Sequence, residues 1–254
     1  MPVRSAIDLA GDLVCDACRI VVCTGAGVST DSGIPDYRGP TGQWTRDPAS
    51  ARFADLPSYL GDATLREQAW ARRVTNPALR AEPNAAHLAL AVLYGRGVVS
   101  AVLTQNVDGL HQKAGVPDDA VLELHGNIRE TRCVNCDERR PMGEALERVR
   151  CGERDPRCLD CGGILKSATV FFGEAVDATV FAEAARRLAT ADLLWVIGSS
   201  LRVQPVAGLV AATARETPLV IVNAEPTPYD GLAAAVVRDP IGVAVPAIVE
   251  EARR

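Results

Sequence analysis

Lysine is nearly missing from this chain. Of 27 basic residues only Lys113 and Lys166 are lysines, and no basic run occurs. Against 32 acidic residues the formal net charge is −5, so neither nucleic acid nor an anionic membrane is expected as the main partner. Long apolar runs are missing as well. The N-terminal stretch from about Ala6 to Cys18 reads as an amphipathic helix. Asp8, Asp12 and Asp16 interrupt its apolar residues, which excludes a membrane span and a signal-peptide core. With no such signal, the expectation is a soluble cytoplasmic enzyme. Histidine is scarce too: His87, His111 and His125 are the three in the chain, so candidate general bases are few.

What is present is enough for a real core. At 254 residues and 48% hydrophobic, the chain can form one large domain or one domain with insertions. Eight cysteines need no disulfides in an intracellular chain of this size. Their spacing points to metal. Cys133-x-x-Cys136 and Cys158-x-x-Cys161, with 21 residues between the pairs, match a tetrahedral zinc site. Four thiolates leave no open position, so the zinc is expected to be structural, contributing on the order of 10 kcal/mol to folding of that module. Cys151 lies between the pairs as a possible competitor without the knuckle spacing. Cys15, Cys18 and Cys23 read as small buried apolar residues.

The chain is organised around Cys23 to Trp44. A short apolar run, Ile20 to Cys23, reads as a buried parallel strand. Gly25 and Gly27 then allow a tight turn, and Ser29, Thr30 and Ser32 supply donors suited to phosphate oxygens. The usual dinucleotide fingerprint would need glycine where Thr30 stands, so glycine spacing alone fits a ligand-free strand-to-helix turn equally well. The continuation Gly33 to Gly39 packs Gly, Pro, an aromatic and Arg together, which suits a loop folding over a ligand.

Further along, residues 45–82 read as a small helical insertion, with a helix near Thr64 to Arg73. Asn84 caps a helix from Ala85 to Tyr94, and Val98 to Thr104 is a strand ending at Gln105-Asn106-Val107-Asp108. Val121 to Leu124 is a strand ending at His125, whose ring could face a cleft. His87 reads as structural, and His111 lies on the helix after the polar turn. Ser167 to Phe172 is expected as a strand, Asp177 to Thr190 as a helix, and Asp192 to Ile197 as a strand ending at Gly198-Ser199-Ser200. A helix from Pro205 to Arg215 follows, then a strand from Pro218 to Val222 ending at Asn223-Ala224-Glu225. Polar residues gathered at the carboxyl ends of several strands favour a ligand crevice.

Taken together, the motifs resemble the sirtuins, the NAD-dependent protein deacylases and ADP-ribosyltransferases. The resemblance rests on Gly25-Ala26-Gly27-Val28-Ser29, Gly33-Ile34-Pro35-Asp36-Tyr37-Arg38, Gln105-Asn106-Val107-Asp108, Leu124-His125-Gly126, the cysteine pairs, Phe171-Phe172-Gly173-Glu174, Gly198-Ser199-Ser200 and Asn223-Ala224-Glu225, in the family's order over roughly residues 20–245. It implies an α/β fold: a Rossmann-like parallel sheet (1–128 and 168–254) with an inserted structural zinc module (129–167) and a small helical lobe (40–82). It also implies NAD as a co-substrate and one structural Zn2+. Gly25 to Trp44, with Ser29, Thr30, Ile34, Pro35, Asp36, Tyr37 and Arg38, would wrap the pyrophosphate and nicotinamide ribose. Asn106 and Asp108 would hold the carboxamide and Gln105 the ribose. Gly198, Ser199 and Ser200 would lie near ribose and phosphates, and Asn223, Ala224, Glu225 and Ile241 on the adenosine side. An acylated lysine of a protein substrate would lie as a strand against Val170, Phe171, Phe172 and Gly173. Asn106 would assist cleavage of the nicotinamide–ribose bond. The acyl oxygen would then attack the sugar, and His125 would deprotonate the ribose hydroxyl that resolves the alkylimidate. The products would be nicotinamide, lysine and O-acyl-ADP-ribose.

Ala69-Trp70-Ala71-Arg72 stands where the desuccinylating branch carries Tyr-x-x-Arg, which argues against acidic acyl groups. The resemblance is closest to the class II branch, associated with weak deacetylation, ADP-ribosyl transfer and removal of larger acyl groups. Other readings are a mono-ADP-ribosyltransferase and a non-catalytic NAD or ADP-ribose sensor.

Overall fold

The computed structural model describes residues 4–252; the outermost positions of the expected NAD-binding domain, 1–3 and 253–254, lie outside the described residues. In chain order the strands are β1 (Ile20–Thr24), β2 (Val99–Thr104), β3 (Val121–Glu123), β4 (Gly126–Cys133), β5 (Arg139–Pro141), β6 (Leu165–Thr169), β7 (Leu193–Ile197), β8 (Leu219–Val222) and β9 (Ala235–Val237). Six of them form one parallel sheet in the order β3-β2-β1-β7-β8-β9, and β5-β4-β6 form a smaller antiparallel sheet. The helices are α1 (Ala6–Asp16), α2 (Gln43–Arg46), α3 (Leu56–Gly61), α4 (Ala63–Val74), α5 (Ala85–Gly95), α6 (Leu110–Lys113), α7 (Met142–Arg150), α8 (Ala178–Leu188), α9 (Val206–Thr213) and α10 (Ile241–Glu251).

The central strands β1, β7 and β8 are buried at every residue, the pattern of a parallel sheet covered on both faces. Ile20, Val22, Trp195 and Val220 point to one face and join residues of α1, α5 and α10. Val21, Cys23, Leu194 and Ile221 point to the other and join residues of α8 and α9. The chain runs outward from β1 through β2 to β3, and in the opposite direction from β7 to β9. Strand order therefore reverses between β1 and β7, and a ligand crevice belongs at the carboxyl ends of those two strands.

Local chemistry sets the helix starts. Ser5, Asp62, Asn84 and Asp177 each cap a following helix by accepting from its first-turn amides. Two sequence expectations change. The segment predicted as a strand over Ser167 to Phe172 does not join the parallel sheet. Its regular part is β6, which pairs antiparallel with β4, because Leu165 is drawn into a separate cluster with Trp70, Cys133, Met142 and Leu146. Of the three cysteines expected to be buried near the N-terminus, Cys15 and Cys18 are exposed and Cys23 is buried. The buried face of α1 is Ala10, Gly11 and Val14; Cys15 lies off that face and Cys18 beyond the helix end.

The antiparallel module and the helical lobe share one core. Trp70 of α4 is fully buried among the module's apolar residues. Nearby, Arg66 pairs through Nε with Asp155 at 2.9 Å, and its Nη1 donates to the carbonyls of Tyr59 and Leu60. Side-chain exposure is 6% for Arg66 and 13% for Asp155. Asp155 also pairs with Arg157 at 2.9 Å, so removing Arg66 leaves a half-compensated carboxylate and the carbonyls of Tyr59 and Leu60 without their donor in a dry site. Arg66→Ala is expected to cost about 3 kcal/mol, measured as a lower urea midpoint at constant zinc.

Candidate active site

The crevice is built where two glycine turns touch. Gly25 follows β1 and donates to the Ile197 carbonyl at 3.0 Å; Gly27 donates to the Gly198 carbonyl at 2.9 Å. A Cβ on Gly25 would lie 2.7 Å from the Gly198 oxygen, and one on Gly27 2.8 Å from the Gly198 Cα. Gly198 itself has φ 65°, open to glycine without strain. Residues 26–32 form a 3-10 turn that Gly33 ends in the left-handed region.

A cavity of about 950 Å3 runs from this turn to the helical lobe. It is lined by Gly25, Ala26, Gly27, Asp36, Tyr37, Arg38, Trp44, Gln105, Asn106, Val107, His125, Gly198, Ser199, Ser200, Asn223 and Glu225, together with Val170, Phe171, Phe172 and Gly173. The structure thus brings most of the predicted site residues onto one surface. Ser29, Thr30, Ile34, Pro35, Asp108, Ala224 and Ile241 are not on its lining. Thr30 instead donates to the Gly27 carbonyl, and Ile241 starts α10 and packs against the core.

Ser29 and Asp108 stand behind the lining. Asn106 Nδ2 donates to Ser29 Oγ at 3.0 Å, Ser29 Oγ donates to Asp108 Oδ2 at 2.8 Å, and the Leu110 amide donates to Asp108 Oδ1 at 2.9 Å. A second relay holds the Asn106 backbone: its amide donates to Thr104 Oγ1, which accepts from Thr24 Oγ1, which meets His111 Nε2 at 2.9 Å. His87 packs against His111 with ring centroids 4.9 Å apart. Burial drives both rings to the neutral form, with values pushed down to about 4 for His87 and about 3 for His111. Neither lines the cavity, so both are structural, as the sequence suggested for His87.

His125 is different. It follows β3, lines the cavity, and its Nδ1 lies 3.1 Å from the Gln105 carbonyl oxygen. A carbonyl can only accept, so Nδ1 carries the proton and Nε2 keeps its lone pair. Burial lowers the ring's pKa, and the bond to Gln105 partly opposes that, so the ring is a neutral base at physiological pH. Gln105 also reaches across the crevice, donating from Nε2 to Ser199 Oγ at 2.9 Å.

The far wall is aromatic. Tyr37 meets Trp44 at 4.7 Å, Trp44 meets Phe172 at 5.4 Å, and the Arg38 guanidinium lies 4.7 Å over Trp44. The segment after β6 is held from three sides. The Val170 amide donates to the His125 carbonyl, the Phe172 amide to the Ala54 carbonyl, and the Leu56 amide to the Phe172 carbonyl. Lys166, 2% exposed, pairs with Glu174 at 2.8 Å, and that carboxylate also accepts from the Phe171 amide. Sequence reasoning missed Phe53, Arg73, Asn76, Ser167 and Thr169, which line the lobe end of the cavity. Arg73 follows Trp70 by three positions on α4, and that spacing was the available signal. Arg72 instead points outward, over the Phe53 ring and toward Asp47.

The four predicted zinc ligands converge. The Sγ atoms of Cys133, Cys136, Cys158 and Cys161 all lie within 4.8 Å of one another, with Cys133–Cys161 at 3.5 Å and Cys136–Cys158 at 3.6 Å. Tetrahedral zinc with bonds of about 2.3 Å requires sulfur separations near 3.8 Å, so the donor set fits. The Asn135 and Gly163 amides donate to Cys133 and Cys161 sulfurs, and the residue after each second cysteine, Asp137 or Gly162, is left-handed. Cys151 is outside the cluster and exposed.

A parallel sheet with a dinucleotide-type crevice at its switch point, a four-cysteine module and a lobe closing the cleft define a dinucleotide-binding enzyme architecture. The chain belongs to the Sir2 family, whose family model matches residues 25–205. It is 53% identical over 91% of its length to NAD-dependent protein deacetylase 2 of Streptomyces coelicolor, covering 96% of that protein. It is 38% identical to an NAD-dependent protein deacetylase of Rhodopseudomonas palustris, with 94% of each chain covered. A solved Sir2–p53 peptide–NAD+ complex superposes with a TM-score of 0.83 at 36% identity, covering 94% of this chain and 95% of that one.

For the cysteine cluster the expected outcome is one zinc per chain by elemental analysis. Cys136→Ser should bring the metal content close to zero, while Cys151→Ser leaves it unchanged.

Proposed function

We propose that this chain is an NAD-dependent protein-lysine deacylase that releases nicotinamide and passes the acyl group to ADP-ribose. The observation that carries the reading is the placement of His125, with Nε2 free to take a proton, on the same cavity wall as Asn106 and the glycine turn. Relatives that match over nearly their whole length carry the name NAD-dependent protein deacetylase, and a related Sir2 structure holds a deacetylated p53 peptide with 3′-O-acetyl ADP ribose.

In this reading NAD is a substrate, and its nicotinamide–ribose bond is the one broken. Gly25 to Gly27 and Gly198 to Ser200 let the backbone approach the phosphates closely, because no Cβ fills the gap between the two turns. Asn106, fixed through both side chain and backbone, presents its amide to the leaving group. Gln105 links the ribose side to Ser199. His125 takes the ribose hydroxyl proton on Nε2. Asn223 and Glu225 lie toward the adenosine, and the zinc ion, held by four cysteines, has a structural role.

The substrates are acyl-lysine proteins, bound as an added strand. The carbonyl of Val170 and the peptide groups of Gly173 carry no backbone hydrogen bond among the described residues, whereas both backbone groups of Phe172 are engaged by residues 54–56. Pairing therefore falls to Val170 and Gly173. The division of labour follows: 1–128 with 168–254 holds the dinucleotide, and the lobe (40–82) with the module (129–167) closes on the acyl chain. Cytoplasmic placement fits this chemistry, and among the described residues no helix is long and apolar enough to cross a membrane. A panel of acyl-lysine peptides read by nicotinamide release identifies the acyl group. It includes chains ending in a carboxylate, because the Arg73 guanidinium has no carboxylate partner among the described residues.

His125→Ala is expected to lower O-acyl-ADP-ribose formation by about 10²–10⁴-fold, read by mass spectrometry; retained turnover would remove His125 from the role of base. The base works when neutral, at pH above its own pKa, and that pKa is depressed. The acidic limb of kcat/KM against pH should therefore fall below about 6.5, the ordinary histidine value, and vanish from the residual activity of the variant.

A further inference from the structure

A second cavity, about 330 Å3, lies on the opposite side of the Asn106–Gly109 segment. Asn106 and Val107 face the main cavity, while Asp108 and Gly109 face this one. Two side chains, Leu79 and Ile128, belong to both walls. The partition between the cavities is therefore one stretch of backbone, which the Ile128 amide pins to the Val107 carbonyl at 3.0 Å, and two partly buried apolar side chains. The rim carries two ion pairs, Lys113 with Glu82 at 2.7 Å and Arg129 with Glu123 at 2.8 Å. Its cations are thus already neutralised, and the Asp108 carboxylate is engaged by the Ser29 hydroxyl and the Leu110 amide, so the rest of the wall is apolar and amide groups.

We infer that this second cavity is the exit vestibule for nicotinamide, entered past Leu79 and Ile128. The inference rests on the deacylase reading above. Once the nicotinamide–ribose bond breaks and the acyl oxygen bonds to the sugar, peptide and ADP-ribose are one covalent species filling both approaches to the main cavity. Nicotinamide has to leave while they stay. Its place beside Asn106 lies next to the thin partition, and the vestibule is at the lower end of the size range for small-molecule sites. A neutral aromatic amide suits the shared wall: Leu79 and Ile128 offer apolar contact, and side chains can rotate on a timescale far shorter than turnover.

A constriction on a route changes association and dissociation rates together and leaves the dissociation constant alone, whereas a change to the binding pocket alters the constant. The test uses the wild-type chain loaded with ADP-ribose and an acyl-lysine peptide, without NAD, so no chemistry occurs. Exchange of 5-fluoronicotinamide is followed by fluorine NMR. Ala81 and Gln112 line only the second cavity. Ala81→Trp and, independently, Gln112→Phe should each slow exchange by about tenfold, with the dissociation constant within about twofold of wild type. Thermal unfolding identifies any variant that has not folded, and the other then decides. Unchanged exchange in a folded, plugged variant overturns the exit while leaving the deacylase reading intact. Absence of any 5-fluoronicotinamide binding by the wild-type chain overturns the leaving-group pocket itself, and the exit with it.

Discussion

The rest of the site depends on how closely the loops after β1 and β7 approach each other. The two strands are neighbours in register, Thr24 opposite Ile197, so the turns that follow must either diverge or interlock. They interlock, through hydrogen bonds from Gly25 and Gly27 to Ile197 and Gly198. A Cβ on Gly25, Gly27 or Gly198 would collide with the opposite backbone. The contact removes side chains from the switch point, leaving bare peptide groups at the crevice floor. The bare peptide groups, suited to a phosphate, and the reversal of strand order are thus one constraint seen twice.

From that floor the order of the site spreads through buried polar relays. Ser29, on the turn fixed by the glycines, takes a hydrogen bond from Asn106 and gives one to Asp108. Thr24, the last residue of β1, continues the second relay through Thr104 to the Asn106 amide. Asn106 is therefore tied to β1 by two independent paths. Such buried networks are worthwhile only when their members are satisfied, and here the hydroxyls sit between partners on both sides. The neutral forms of His87 and His111 serve the same end, since a buried cation beside these dipoles would have to be paired.

Much of this was legible in the sequence because it is local. Apolar runs ending in Gly, Asn or His marked the parallel strands, Asn84 marked a helix start, and the paired Cys-x-x-Cys spacing marked the metal cluster. What stayed hidden depends on tertiary context. Leu165 to Thr169 has a strand's composition, but whether it joins the large sheet or pairs with β4 is decided by partners more than 30 residues away. Asp108 was grouped with Asn106 as a ligand contact at the same strand end, yet its carboxylate is turned to the Ser29 hydroxyl and the Leu110 amide, behind the cavity wall. Arg73 was passed over for Arg72 because a motif read in register ignores which helix face is inward. β9 and α10 are short or proline-interrupted, and neither carries a strong periodic signal.

The cysteine cluster lies far along the chain from the glycine turn, yet mechanical continuity links it to the chemistry. Cys133 ends β4 and Cys158 packs beside Leu165 at the start of β6. β6 leads directly into Val170, whose amide is bonded to the carbonyl of His125. Lys166, within β6, reaches over the Phe171 ring to Glu174 and to the Thr169 carbonyl, so the strand and the segment that follows it are bound into one piece. Trp70 and the Arg66–Asp155 pair attach the helical lobe to the same piece. A metal held in a closed thiolate shell takes no part in proton transfer. By fixing β4 against β6 it sets the height of Val170 beside His125, and hence where an added peptide strand would present its acyl oxygen. The cysteine cluster and His125 are joined here through a single strand.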